Sequence, residues 1–230
     1  MAYLGSFYRT YALDFWGFGE SGKKRDTYAV QDFVDLVNQF MEQLGIVHAP
    51  LVGHSMGGTV SLSVAVKYPD RVSRVVVVGS PIVGSSLAPL LKLSGYRSIA
   101  FVLFNMMGPF RAWMKYYYSR RICTDPRFPD MMDRDLSRTT VESFLRSIAS
   151  LRRTDLRPVL DQVKVPVLGI YGDKDKIVHP LQWKPLQSGI PRARIERFPQ
   201  AGHFMMLEEP SRFDAILGNF LDDTRTRPIE

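Results

Sequence analysis

A chain of 230 residues, 45% hydrophobic and 23% charged, has the length and composition of one globular domain with an insertion. Its formal charge of +7 is scattered over Lys23, Lys24, Arg25, Arg120, Arg121, Arg152, Arg153, Arg192, Arg194 and Arg197 with no stripe or long like-charge block, which argues against a nucleic-acid or anionic-membrane footprint. One cysteine, Cys123, excludes an intramolecular disulfide and matches no thiol motif.

The opening residues, "MAYLGSFYRTYALDF", lack a basic leader followed by an unbroken apolar segment. The longest apolar stretch, "IAFVLFNMM" at 99–107, falls far short of the ~18 residues of a membrane span. The expectation is a soluble, cytoplasmic protein without stable membrane insertion.

In chain order, "YRTYALDF" at 8–15 reads as a buried strand running into the glycine-rich loop "WGFGESG". Residues 27–45 place Val30, Phe33, Val34, Val37, Phe40, Met41 and Leu44 at spacings of three and four, an amphipathic helix stopped by Gly45. "APLVG" is a short strand, "MGGTVSLSVAVKYP" the helix after it, and "VSRVVVVGSP" a strand apolar enough to be covered on both faces. "VKVPVLGIYGDKD" from 163 and "ARIERFPQAGH" from 193 are further strands ending in polar loops, with a helix at "LQWKPLQSGIP" between them and "PSRFDAILGNFLDD" as the last helix.

Alternating strands and helices predict an α/β fold, a mostly parallel sheet flanked by helices, with binding groups at the carboxyl ends of the strands. The stretch 82–158, rich in Met, Phe and Tyr and then helical and polar, interrupts the rhythm. It is expected to be a helical cap inserted within one domain spanning 1–230.

Gly53, Ser55 and Gly57 form G-x-S-x-G, followed by Gly58, where "APLV" meets a helix. A serine on such a strand-to-helix turn is held in a strained conformation, and glycines two positions away on either side are expected to relieve collisions with neighbouring backbone. The Met56 N–H, at the helix start, would point toward an oxyanion formed on a substrate at Ser55.

A serine hydroxyl needs a base, and the base needs a partner that fixes its tautomer. Of the four histidines, His203 in "PQAGHFMMLEEP" lies between the last strand and the final helix, at the carboxyl edge. His54 adjoins Ser55 and is expected to point elsewhere, His48 sits at the wrong edge, and His179 begins a turn or helix. The acid is Asp175 or Asp173 in "YGDKDKIV": Asp175 can reach across the sheet edge, whereas Asp173 is placed to bond loop backbone.

The segments "ALDFWGFGESG", "GHSMGG", "YGDKDKIV" and "AGHF", with the order Ser55, Asp175, His203, resemble the α/β-hydrolase superfamily over most of the chain. Serine at the elbow resembles the carboxylesterases, lipases and carbon–carbon bond hydrolases rather than the dehalogenases and epoxide hydrolases, which carry aspartate there. The resemblance also implies three strands and an oxyanion-donating loop ahead of "YALDF", of which "MAYLGSF" supplies only the tail of a helix. A fold incomplete at its N-terminus, poorly stable and weakly active alone, is therefore expected.

The resulting expectation is a serine hydrolase that cleaves an ester or related acyl bond of a small apolar substrate through Ser55, His203 and Asp175. No organic cofactor or metal is implied, since no histidine pair or acidic cluster has ligand spacing. Two alternatives share the pocket: hydrolysis of a carbon–carbon bond in a diketone-like substrate, and a noncatalytic hydrolase-like ligand-binding protein.

Overall fold

The computed structural model describes residues 2–24, 26–89, 108 and 112–222. Much of the predicted apolar cap sequence, 90–107 and 109–111, lies outside the described residues. Among the described residues four strands form the sheet: β1 (Ala49–His54), β2 (Val72–Val78), β3 (Val167–Gly172) and β4 (Arg194–Phe198). They are all parallel, in the order β1-β2-β3-β4.

The helices are α1 (Ala2–Gly5), α2 (Val30–Gln43), α3 (Met56–Lys67), α4 (Ser119–Ile122), α5 (Phe128–Ser137), α6 (Val141–Arg153), α7 (Trp183–Gly189), α8 (Met205–Glu208) and α9 (Pro210–Asp222). A π-helical stretch, Met114–Tyr118, leads into α4. Among the described residues no helix is long and apolar enough to cross a membrane.

Two apolar layers hold the sheet, and side-chain alternation along each strand assigns residues to one or the other. Val75 and Val77 of β2, with Val167 and Tyr171 of β3, face a core built with Phe33 and Val34 of α2, Val60, Leu62 and Val64 of α3, and Leu186 of α7. Val76 and Val78, with Leu168, Ile170 and Phe198, face Phe213, Leu217 and Phe220 of α9. The unbroken valine run of β2 is thus buried on both sides, as its composition predicts.

Helix α2 buries Val30, Phe33, Val34, Leu36 and Met41, and Gly45 just beyond it takes φ +66°, a left-handed value that glycine adopts without a Cβ penalty. Helix α3 carries hydroxyls into its buried surface at no loss of pairing. Ser61 donates to Gly57 O at 2.8 Å, Ser63 to Thr59 O at 2.9 Å, and Thr59 to Pro81 O at 2.8 Å.

Residues 8–15 correct the sequence reading, for they form no strand. A strand exists only through a partner for its N–H and C=O groups, and this segment is instead fixed by side chains on α2. Phe15 stacks on Phe33 at 4.6 Å between ring centroids, and Tyr11 meets Phe40 edge-on at 5.8 Å. Strand β1 is the edge of the described sheet, and Val52 in it is 44% exposed.

Between β2 and β3 the described chain divides its packing. Helix α6 belongs to the main core through Ile148 and Leu151. The turn around α4 and the start of α5 form a separate cluster of Ile122, Cys123 and Phe128, packed against Phe204 and Leu207.

Candidate active site

The elbow begins where β1 ends. Ser55 has φ 53° and ψ −122°, and among the described residues it is the one non-glycine residue with positive φ. That conformation costs free energy and persists only where its surroundings enforce it. They do so here through the Ser55 N–H, which donates to Val78 O at 2.8 Å, and through close packing of α3 on the strands.

A Cβ at Gly53 would lie 2.2 Å from the backbone of Gly57, and one at Gly58 would lie 1.9 Å from Ser80 Oγ. A Cβ at Gly57 would meet nothing within 4 Å. The steric demand therefore falls on Gly53 and Gly58, not on Gly53 and Gly57 as the motif suggests. The Met56 N–H lies in the first turn of α3, where N–H groups have no partner within the helix.

The loop after β3 brings Asp175 to His203. His203 Nδ1 donates to Asp175 Oδ2 at 2.7 Å, and both side chains are only 3% exposed. The other carboxylate oxygen, Oδ1, accepts the N–H groups of Ile177 at 2.8 Å and Val178 at 2.9 Å. Three hydrogen bonds thus hold both oxygens of the carboxylate, which in turn orients the imidazole.

Asp173 is turned outward instead. It forms a two-pronged pair with Arg197 of β4, Nε to Oδ1 at 3.0 Å and Nη2 to Oδ2 at 2.8 Å. The loop-backbone bonding expected of Asp173 is thus made by Asp175, which reaches His203 as well.

His54 departs from expectation by turning toward His203. Its Nε2–H donates to the His203 carbonyl oxygen at 2.9 Å, and the two rings lie 4.6 Å apart. Burial, reinforced by the neighbouring His203, pushes the pKa of His54 down to about 3. The ring is therefore neutral at neutral pH and adds no charge beside His203.

Gly79, the residue after β2, was not singled out by sequence. It takes φ +56°, and a Cβ there would lie 3.2 Å from His203 Nδ1 and 3.5 Å from Asp175 Oδ2. Its N–H donates to Ile170 O at 2.8 Å, so it bridges the ends of β2 and β3 beneath the pair. A glycine that ends a buried apolar run was the available signal.

The sequence-derived residues are linked as follows. His203 and Asp175 are bonded directly, and Ser55 is tied by backbone to Val78, beside Gly79. Ser55 Oγ and His203 are not joined by a hydrogen bond. His179 accepts the Leu181 N–H at 3.3 Å, and burial pushes the Cys123 thiol pKa up, away from thiolate chemistry.

The sequence of residues 3–210 matches the family model for the α/β hydrolase fold. Hydrolase YugF of Bacillus subtilis is 29% identical over 232 residues, covering 93% of this chain and 80% of its own length. The 2-hydroxymuconate semialdehyde hydrolase of Pseudomonas sp. strain CF600 is 30% identical, with coverages of 96% and 79%. Among solved structures, MGS-M2, an α/β hydrolase from a Medee basin deep-sea metagenome library, superposes with a TM-score of 0.77 at 27% identity, over 100% of this chain and 85% of its own. A parallel sheet sandwiched between helices, a serine at a strained strand-to-helix turn and this breadth of similarity lead to one assignment: the chain is a hydrolase of the α/β-hydrolase family.

Proposed function

We propose that the protein is a serine hydrolase acting on an ester or related acyl bond. The observation that carries this reading is the strained Ser55 beside a buried His203–Asp175 pair. Ser55 Oγ attacks the substrate carbonyl while His203 Nε2 takes its proton. Asp175 keeps the Nδ1 proton on the far side of the ring and stabilises the imidazolium. The Met56 N–H receives the charge that develops on the carbonyl oxygen.

Collapse of the tetrahedral intermediate expels the alcohol, which leaves with the proton held by His203. Water then attacks the acyl-enzyme, giving a proton to His203, and collapse of this second intermediate releases the acid as His203 returns the proton to Ser55 Oγ. The Ser55–His203 hydrogen bond closes in the substrate complex, where catalytic contacts commonly tighten. The substrate is a small, largely apolar acyl compound, in keeping with the Met, Phe and Tyr content of the sequence between β2 and β3. The enzyme acts in the cytoplasm.

The name of the Pseudomonas relative favours a second reading, carbon–carbon bond hydrolysis of a diketone-like substrate by the same residues. A panel of p-nitrophenyl acyl esters and vinylogous ring-cleavage diketones separates the two. The ester reading requires ester turnover that is lost in Ser55→Ala. Turnover of the diketones alone would replace it with the second, and turnover of neither, together with tight binding of an apolar ligand, would point to a noncatalytic binding protein.

A further inference from the structure

Glu208, at the end of α8, lies outside the Ser55–His203–Asp175 set, yet donors from two separate parts of the chain converge on its carboxylate. Oε2 accepts the N–H of Gly202, the residue before His203, at 2.6 Å. Oε1 accepts both the N–H and the hydroxyl of Thr124, at 3.0 and 3.1 Å. Thr124 sits between α4 and α5, among the helices inserted between β2 and β3. Phe204, the residue after His203, packs its ring 4.3 Å from that of Phe128 at the start of α5.

His203 is therefore flanked on both sides by residues fastened to the inserted helices. Its own carbonyl accepts the N–H of His54, next to Ser55. Resting on the serine-hydrolase reading, we infer that Glu208 is a positioning residue that couples the inserted helices to the His203 turn. A displacement of the α4–α5 turn reaches the base by a polar route through this side chain, beside the apolar contact of Phe204 with Phe128.

The chemistry of the three donors specifies a carboxylate. An ionised carboxylate accepts at both oxygens, whereas a glutamine must present an NH2 group either to the Gly202 N–H or to the two Thr124 donors. Glu208→Gln keeps shape and size and sets donor against donor on one side of the bridge. Thr124→Val keeps the backbone N–H and removes the hydroxyl, loosening only the far end.

The test uses the full chain, measuring amide hydrogen exchange by peptide alongside steady-state hydrolysis of an acyl ester. Glu208→Gln is expected to raise exchange at both 122–125 and 201–204 and to lower kcat about 10- to 100-fold while KM changes less than about 3-fold. Thr124→Val is expected to raise exchange at 201–204 as well, by a smaller factor. An unchanged kcat in Glu208→Gln, or a Thr124→Val effect confined to 122–125, would overturn the coupling. Failure of the serine-hydrolase reading shows separately, as ester turnover surviving in Ser55→Ala, and leaves the exchange result to decide the bridge by itself.

Discussion

His203 Nδ1 and Asp175 Oδ2, both on buried side chains, are 2.7 Å apart, and the second oxygen of Asp175 is held by two backbone N–H groups. Asp173, two residues earlier, is spent on Arg197. On the proposed serine-hydrolase reading, Asp175→Asn is expected to lower kcat by about 10,000-fold, as loss of tautomer control does in a Ser-His-Asp triad. Asp173→Asn is expected to stay within about 3-fold and to cost no more than about 1 kcal/mol, since it removes a partly exposed ion pair. Parallel ester kinetics and urea melts of the two variants check the assignment, and equal losses of activity would reject it.

Gly79 carries a steric demand that Gly57 of the elbow motif does not. Gly79→Ala adds a methyl group at 3.2 Å from His203 Nδ1 and forces a non-glycine residue to φ +56°. A stability loss of about 1–2 kcal/mol from the left-handed backbone is expected. A fall in kcat of at least about 10-fold should accompany it as the imidazole is displaced. Urea unfolding and single-turnover acylation measure the two effects.

The two flanking glycines of G-x-S-x-G are expected to differ. Gly53→Ala drives a methyl group to 2.2 Å from the Gly57 backbone, and a destabilisation of about 3 kcal/mol or more is expected. Gly57→Ala meets open space in the first turn of α3 and is expected to be neutral or stabilising by up to about 1 kcal/mol. Thermal melts of the pair distinguish this from a motif in which both glycines are equally required.

His54 predicts a pH dependence of stability. Its ring titrates near 6.5 in the unfolded chain but only at about 3 in the folded protein. The unfolded state therefore binds the extra proton first, and stability falls as pH drops from 6.5 toward 3. The slope from this group approaches about 1.4 kcal/mol per pH unit within that window, and stability from it is fully present above 6.5. His54→Gln, which keeps a donor for the His203 carbonyl, should flatten the decline in urea-unfolding free energy between pH 6.5 and 4.5. An unchanged slope would contradict it.

The sequence made legible whatever depends on local pattern. The spacing of Val30, Phe33, Val34 and Met41 marks α2, the valines of β2 announce burial on both faces, and the strand-to-helix join places Ser55. What escaped depends on partners distant in sequence. The aromatic, branched composition of residues 8–15 suits a strand, but strand formation is decided by a neighbour rather than by the segment. Position in the loop favours Asp175 over Asp173, but the pairing of Asp173 with Arg197 on β4 is not legible in the sequence. His54 and Gly79 become part of the site only because β1, β2 and the His203 turn converge at one edge.

Whether Ser55 is a nucleophile activated by His203 is decided by a fluorophosphonate probe, which forms a lasting bond only with an activated serine. Intact-mass and peptide mapping should show one adduct, on Ser55, absent from Ser55→Ala and slowed at least about 100-fold in His203→Gln. Undiminished labelling in either variant, or an adduct on another residue, would contradict the account.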